Sequence, residues 1–145
     1  MIFGFYKILR GLYMNRRSIF ANILLKMLNI PYTLLLKLVY GAHVPYNADI
    51  HFSCKFPHSF YGVFISGKAK IGRNCTILNH VTIGNGIPKS YEAPKIGSNV
   101  FIGANSIVYG DIVINANVKI GAGVVLNKSI GPSRTVVNAG CLVLE

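Results

Sequence analysis

An aliphatic residue returns at every sixth position over one long stretch, and this repeat constrains the fold more than any other feature. The series is Ile96, Ile102, Val108, Ile114, Ile120 and Leu126. A second, mostly smaller residue stands four places after each of the first five: Val100, Ser106, Ile112, Val118 and Val124. Neither the helical period nor simple strand alternation gives a strict six-residue repeat over this length. Such a repeat is typical of a β-solenoid.

Each hexad supplies one short strand and one corner, so three hexads close a triangular coil. Residues eighteen positions apart should therefore stack inside the coil, as in the pairs Ile96–Ile114, Ile102–Ile120 and Val108–Leu126. The glycines after Ile96, Ile102 and Ile120, and the asparagines at 99, 105 and 117, should lie where the backbone turns. Both residue types tolerate a positive φ better than others.

The same count extends back to Val44, which predicts a β-helix over residues 42–137 and a closing segment at 138–145. Two interruptions break the count. Ile65 follows Phe56 by nine positions, so three residues are inserted between them. Residues 85–95 are too long for one corner and rich in turn formers, which predicts a projecting loop. Loops on a rigid scaffold often carry function, so both interruptions are candidate site positions.

Residues 1–41 predict a basic helical arm. Apolar residues fall at helical spacing in two groups: Phe5, Ile8, Leu9, Leu12 and Tyr13, then Phe20, Ile23, Leu24, Met27 and Leu28. Asn29 and Pro31 predict a break and a fresh helix start before Leu34. The arm fits a cap over the open end of the solenoid, or a basic amphipathic helix at a membrane surface, and the two can coexist. Polar and charged residues interrupt every apolar run, which argues against a membrane-spanning helix.

The chain has 145 residues, which suits one domain with one core. Fifteen Lys and Arg against four Asp and Glu give a net charge of +11, which favours anionic partners. Of the three cysteines, Cys54 and Cys75 fall in the small inward slot of their hexads. They are interpreted as buried thiols in a reducing compartment, rather than as a disulfide or a metal set.

Motifs between Phe56 and Asn85 resemble a known family. In order they are FPH at 56–58, GVFI at 62–65, IGRNCTI at 71–77 and VTIGN at 81–85. Over about residues 40–137 their order and spacing resemble the hexapeptide-repeat acyltransferases of the serine acetyltransferase branch. Within that branch the chain is most similar to the colanic-acid-type O-acetyltransferases of capsule and exopolysaccharide synthesis. The resemblance implies a mainly β protein, a left-handed parallel β-helix with a short N-terminal helical cap.

The same resemblance implies His58 as the general base. Acyl transfer to a hydroxyl requires removal of its proton, and a neutral imidazole can accept it near neutral pH. Allowing for the three inserted residues, His58 should stack beside Asn79 on the next coil. His80, one place further into its hexad, either lines the same cleft or points outward. The four histidines lack close ligand spacing or an adjacent Cys or carboxylate, so no metal site is expected.

The resemblance places acetyl-CoA, as co-substrate, on the last coils. The segments Ile102-Gly103-Ala104 and Ile120-Gly121-Ala122 resemble the family's Ile-Gly-Ala segments, where small side chains admit the pantetheine arm. Ordinary solenoid packing explains these alanines equally well. The implied cofactor-binding residues are Gly84, Ala104, Ala122, Asn127 and Lys128, and Lys128 could meet the CoA phosphates.

The acceptor residues depart from the serine acetyltransferase pattern. Pro57 stands where those enzymes have an Asp, and Glu92-Ala93 stands where they hold serine with an Arg-His pair. A sugar hydroxyl does not require those charges, and Tyr61 and Phe60 could stack on a pyranose. The predicted acceptor is therefore a sugar or glycan precursor, contacted by Tyr61, Asn79 and His80. Serine O-acetylation and a non-catalytic binding solenoid are the alternatives.

A short prism with three flat faces predicts a homotrimer, expected in the cytoplasm, and the resemblance implies that its active sites lie between neighbouring chains. The expected partners are acetyl-CoA and the acceptor, with a peripheral membrane contact through residues 1–41 and no nucleic acid. The arm would then lie at the inner face of the membrane.

Overall fold

The computed structural model describes residues 2–86 and 91–138. Two α-helices come first, α1 (Ile2–Met14) and α2 (Ile19–Leu35), and α2 continues into a π-helical turn at Leu36–Tyr40. Twelve short strands follow within the described residues: β1 (Asp49–Ile50), β2 (Phe64–Ile65), β3 (Lys70–Ile71), β4 (Thr76–Ile77), β5 (Thr82–Gly84), β6 (Lys95–Ile96), β7 (Phe101–Ile102), β8 (Ile107–Tyr109), β9 (Val113–Ile114), β10 (Lys119–Ile120), β11 (Val125–Leu126) and β12 (Thr135–Val136).

The strands form three parallel sheets of four strands each. The first sheet is β1-β3-β6-β9, the second is β4-β7-β10-β12 and the third is β2-β5-β8-β11. Consecutive strands belong to different sheets, so the chain winds round a three-sided prism. This arrangement fits the predicted left-handed parallel β-helix.

The predicted stacking is confirmed in the last coils. Three pairs of parallel strands show this stacking, with Ile96 beside Ile114, Ile102 beside Ile120, and Val108 beside Leu126. The small slots are also inward, and Ser106, fully buried, donates its hydroxyl to the Gly121 carbonyl at 2.8 Å. Each fully buried aliphatic side chain contributes about 1.5–3 kcal/mol relative to exposure. The repeat therefore builds one continuous core along the prism.

The strand register gives the number of residues inserted at each of the two interruptions. Ile50 pairs with Ile71, 21 positions on, which is three more than a plain coil needs. Ile71 pairs with Ile96, 25 positions on, so seven residues are added there. The predicted projecting loop at 85–95 falls partly outside the described residues, since residues 87–90 are not described. Its last residue, Lys95, already begins β6, and Ala93 is buried.

The corners use glycine and asparagine for different reasons. Asn74, Asn99, Asn105 and Asn117 have φ between 56° and 61°, as predicted for the asparagines. The prediction for the glycines after the aliphatic residues is wrong, because they do not adopt a positive φ. At Gly103 an added Cβ would lie 2.5 Å from the Ala122 nitrogen. Close approach of the next coil, rather than turn geometry, excludes a side chain there.

Cys54 and Cys75 occupy the inward slots predicted for them and are buried. Their thiols donate to the carbonyls of Gly72 and Gly97, each at 3.1 Å. The contact with Cys75, together with burial, raises the pKa of the Cys54 thiol. Cys141 lies outside the described residues.

The two helices pack on the first coil through buried tyrosines. Tyr6 donates its hydroxyl to the Ala48 carbonyl at 2.6 Å and accepts a hydrogen bond from the Ile50 nitrogen at 3.3 Å. Tyr32 donates to the Val44 carbonyl at 2.7 Å. Burial raises the pKa of Tyr6 to about 12, and also raises the pKa of Tyr32.

The predicted break at Asn29 and Pro31 is wrong, because α2 passes through Pro31 without interruption. Packing outweighs the local cost of proline, since Leu25 before it and Tyr32 and Leu36 after it are all buried. The resulting helix, Ile19–Tyr40, has 22 residues, and only 22% of its apolar 18-residue stretch is buried. Its length and apolar composition would suffice to cross a membrane, which by itself is weak support for a span.

Candidate active site

One edge of the prism carries several of the predicted site residues in a line. This edge, here called the His58 edge, joins the second sheet to the third. Lys55 forms an isolated parallel β-bridge with Thr76 of β4, and β4, β7 and β10 then pair with one another in register. The backbone nitrogens of His80, Asn105 and Gly123 donate to the carbonyls of Tyr61, Asn79 and Ala104, at 2.9, 3.2 and 2.8 Å. The residues that stack along the edge are therefore Tyr61, Asn79, Ala104 and Ala122, and His58 lies in the insertion that precedes Tyr61. The position beside Asn79 is thus that of Tyr61, and the predicted proximity of His58 to Asn79 stays a prediction.

His58 lies in the turn formed by residues 57–62 and is exposed. The turn is anchored by aromatic rings, since Phe60 is fully buried and its ring lies 4.6 Å from that of Phe56. Phe3 of α1 packs on both, at centroid distances of 5.0 and 5.9 Å. The inserted residues thus hold His58 outward on a rigid base.

His80 contacts the same turn. The backbone nitrogen of His80 donates to the Tyr61 carbonyl at 2.9 Å, and the φ of His80 is 56°. The imidazole lies against Gly62, where an added Cβ would be 2.2 Å from Nδ1. Gly62, with a φ of 63°, is therefore a residue of the site that the sequence reasoning did not single out. The available signal was a glycine inside the insertion, eighteen positions before a histidine.

Of the proposed acceptor contacts, Tyr61 and Asn79 are accessible on this edge. Tyr61 is 50% exposed, and its ring centroid lies 4.9 Å from that of Tyr40. Asn79 is half-buried. The expectation that Phe60 stacks on a sugar is wrong, because Phe60 is fully buried and anchors the turn instead.

The other predicted cofactor residues lie on a second edge, here called the Lys128 edge, between the third sheet and the first. Gly84 pairs with Tyr109 across β5 and β8. A Cβ at Gly84 would meet nothing closer than 3.9 Å within this chain, so the fold does not require glycine there. Asn127 donates its side-chain amide to the Tyr109 hydroxyl at 3.1 Å, and Lys128 is exposed.

Within one chain the two edges are separated by the width of the third sheet. The outward positions of that sheet are Phe64, Thr82, Ile107 and Val125. Phe64 is 48% exposed, Ile107 40% and Val125 63%. The first and second sheets instead present lysines outward, at Lys70 and Lys95 and at Lys119. The described chain therefore has one predominantly apolar sheet face, flanked by both groups of candidate residues.

No carboxylate is hydrogen-bonded to His58 among the residues the structure describes. Asp49 pairs with Arg10 at 2.6 Å, and Glu92 with Lys68 at 3.4 Å. A groove of about 650 Å³, lined in part by Lys70, Arg73 and Lys95, lies on the first sheet, away from both edges.

The comparisons with known proteins support the repeat and the fold. The family model "Bacterial transferase hexapeptide (six repeats)" matches residues 93–128, which contain the strict hexads, Ala104 and Ala122. The comparison with curated proteins found no match.

Three solved structures illustrate the likeness. Serine acetyltransferase isoform 3 of Entamoeba histolytica, in complex with cysteine, is 26% identical at a TM-score of 0.80, covering 99% of this chain and 49% of that one. The Neisseria gonorrhoeae serine acetyltransferase in complex with serine is 30% identical at 0.75, covering 95% and 53%. A serine acetyltransferase in complex with CoA is 22% identical at 0.72, covering 92% and 51%. The chain therefore spans about half the length of the serine acetyltransferases it matches.

Proposed function

We propose that this chain is an acetyl-CoA-dependent O-acetyltransferase with His58 as its general base. The observation that carries the proposal is the exposed position of His58, in the insertion that leads into the edge along which Tyr61, Asn79, Ala104 and Ala122 stack. A base is held out on an insertion, and small residues continue the same edge beneath it. The hexapeptide transferase match over residues 93–128 supports the same class of activity.

The reaction requires the protein to position the two substrates and to transfer one proton. The imidazole of His58 takes the proton from the acceptor hydroxyl as its oxygen attacks the thioester carbonyl carbon. The carbon–sulfur bond then breaks, and the leaving CoA sulfur takes the proton from the imidazolium. The products are the acetyl ester and CoA, and the imidazole is neutral again.

The donor side of the proposal uses residues of both edges. Ala104 and Ala122 leave room for the pantetheine arm along the coil backbone. A side chain at Gly84 would not collide with this chain, so the absence of one leaves space for the donor. Lys128 is exposed beside Asn127 and, in this proposal, binds a CoA phosphate. The solved serine acetyltransferase that holds CoA supports this choice of donor.

A homotrimer would bring the two edges together. If the apolar outward face of the third sheet packs around a threefold axis, the His58 edge of one chain faces the Lys128 edge of its neighbour. Burying Phe64, Ile107 and Val125 in that interface would also remove the one predominantly apolar sheet face from water. Each active site would then take its base from one chain and part of its donor site from the next.

Serine is the acceptor that the comparisons favour. The solved structures most similar in fold are serine acetyltransferases, and the Neisseria gonorrhoeae enzyme was solved with serine bound. The second candidate is a sugar hydroxyl of a surface-polysaccharide precursor, as in the colanic-acid-type enzymes. It is favoured by a different observation, because no described carboxylate contacts His58 and the exposed Tyr61 ring offers a stacking surface.

A transfer assay separates these acceptors. Purified protein with acetyl-CoA is offered serine, nucleotide sugars and free hexoses, and release of the CoA thiol is followed for each. Acetylation of serine alone would support the first acceptor, and acetylation of a sugar alone the second. CoA binding without acceptor-dependent release, across the whole panel, would contradict an acetyltransferase and favour a binding solenoid.

A further inference from the structure

One face of α2 and the π-helical turn has no partner in the structure. Large apolar side chains are exposed along its whole length: Ile19, Phe20, Ile23, Leu24, Met27, Ile30, Leu34, Leu35, Leu38 and Val39. The exposed fractions reach 85% at Phe20, 72% at Ile30 and 75% at Leu38. This set is called the α2 outer face below.

The α2 outer face is a continuous stripe. Its members from Phe20 to Leu38 recur at spacings of three and four, so they share one side of the helix over about 27 Å. The residues that pack inward, Ala21, Leu25, Tyr32 and Leu36, occupy another side. A soluble protein rarely leaves so long an apolar surface in water, and such patches mark interaction sites.

Basic residues border the stripe, and no acidic residue accompanies them. Arg16, Arg17, Lys26 and Lys37 are exposed in this arm, and residues 1–41 contain no Asp or Glu. Arg10 of α1 forms an ion pair with Asp49, which belongs to the first coil and not to the arm. An apolar face with a purely basic rim is complementary to an anionic phospholipid surface.

We propose that the α2 outer face binds an anionic membrane surface, with the helix lying in the plane of the bilayer. The apolar side chains would enter the boundary between headgroups and acyl chains, and the basic side chains would contact phosphates. The inner side of α2 would remain on the solenoid. This inference goes beyond the proposed acetyl transfer and does not depend on it.

The contacts of α2 argue against a membrane span. Its inner side is fixed to the solenoid through Tyr32 on Val44, and a spanning helix would have to break that contact. Lys26, Asn29 and Lys37 would also enter the hydrocarbon. A second copy of the arm is a poor partner for the same face, because two purely basic rims would be brought together without any acid.

The test is flotation of the full chain with lipid vesicles at two salt concentrations. Vesicles of phosphatidylcholine alone are compared with vesicles of phosphatidylcholine and phosphatidylglycerol in equal parts. The protein should float with the anionic vesicles, and added salt should weaken binding, by at most about fivefold for each basic residue engaged. Absence of flotation with anionic vesicles would overturn the proposal.

Matched variants locate the contact. Phe20→Ser with Met27→Ser should reduce vesicle binding at least about tenfold without lowering the melting temperature, since both side chains are exposed. The control, Phe101→Ser with Val113→Ser, removes exposed apolar side chains from the second and first sheets and should bind as the parent does.

Two further outcomes would overturn the proposal. The Phe20 and Met27 variant could change the sedimentation coefficient instead of vesicle binding, which would identify a protein interface. Bound protein could also resist extraction by both high salt and alkaline carbonate, which would identify a spanning helix. Neither readout requires acetyltransferase activity.

Discussion

His58 occupies a position that the solenoid itself does not need. Three inserted residues move it off the inward register, and Phe56 and Phe60 anchor the turn on either side of it. Removing its side chain should therefore leave the coil intact. Ser106 differs from His58 in this respect, because its hydroxyl is fully buried and donates a hydrogen bond to the next coil.

We predict that His58→Ala lowers turnover roughly 10²–10⁴-fold, because general-base catalysis typically contributes that much. Affinity for CoA should barely change, since the lost interaction belongs to the transition state. Steady-state turnover at saturating acetyl-CoA, with calorimetric titration of CoA, measures both quantities. His51→Ala is the control, because His51 is also an exposed corner histidine but lies on a different edge. A His58→Ala protein that melts normally and turns over at the parent rate would exclude this mechanism.

A second prediction concerns Gly62. Gly62→Ala should destabilise the protein by about 1–2 kcal/mol, because alanine is strained at a φ of 63°. Its Cβ would also collide with the His80 imidazole. Thermal melts of Gly62→Ala, His80→Ala and the double variant form a cycle that isolates the collision. The alanine at 62 should cost less in the His80→Ala background, because the collision is absent there. Equal costs in both backgrounds would rule the contact out.

Single residues were predictable from sequence only where the repeat dictates them. The inward slots of Ile102, Ser106 and Cys75 follow from counting in sixes, because every coil repeats the same environment. The exposure of His58 follows from the break in that count. The burial of Phe60 and the contact of His80 with Gly62 could not be predicted, since both depend on how an irregular turn folds back onto α1 and the next coil.

At the scale of elements, the strands and helices behave differently. The strands are two or three residues long, and their positions are set by the hexad register rather than by intrinsic propensity. The helices are set by packing on the first coil, which keeps α2 continuous through Pro31 against its local preference. Helical spacing identified Phe20, Ile23 and Met27 as one face. It could not tell that this face points to solvent while Ala21, Leu25 and Tyr32 pack inward.

The attachment of α1 should weaken at alkaline pH. Burial raises the pKa of Tyr6 to about 12, so the folded protein keeps this proton after the unfolded chain has lost it near pH 10. The stabilisation is full below pH 10 and is lost as pH rises from 10 towards 12. The loss attributable to Tyr6 reaches about 2–3 kcal/mol.

Denaturant unfolding of the parent and of Tyr6→Phe at pH 9 to 12 measures this contribution. The variant should be less stable at neutral pH, because the Ala48 carbonyl and the Ile50 nitrogen lose their partner. It should also lose less stability on alkalinisation than the parent does. Tyr91→Phe is the control, since Tyr91 is 74% exposed and should keep the parental profile. Parallel pH profiles for parent and Tyr6→Phe would contradict the assignment.

At the scale of the whole molecule, the third sheet is the surface through which we propose that chains assemble. Its outward face is apolar at Phe64, Ile107 and Val125, whereas the other two sheets carry lysines. Threefold packing of this face would put all three helical arms at the same end of the trimer. All three α2 outer faces would then be carried at that end, and a membrane that contacts more than one of them would bind the trimer more tightly than a single chain.

The oligomer can be tested by placing charge on that face. Val125→Lys should dissociate the homotrimer, because three buried ammonium groups would meet near the axis without acids to pair them. Val113→Lys is the control, since Val113 is similarly exposed but lies on the first sheet. Sedimentation equilibrium at micromolar concentration distinguishes the two. A monomeric parent, or a Val113→Lys protein that dissociates while Val125→Lys does not, would contradict packing through the third sheet.

Mixing two impaired variants tests whether each active site is shared between chains. His58→Ala lacks the base, and Lys128→Glu should bind acetyl-CoA weakly, so each homotrimer alone should be slow at subsaturating donor. If His58 and Lys128 of one site come from neighbouring chains, random heterotrimers contain intact sites, about a quarter of the total. Unfolding and refolding the mixture should therefore restore part of the parental rate, whereas mixing without subunit exchange should not. If both residues of a site came from the same chain, no mixture would contain an intact site and the rate would stay at the average of the two variants.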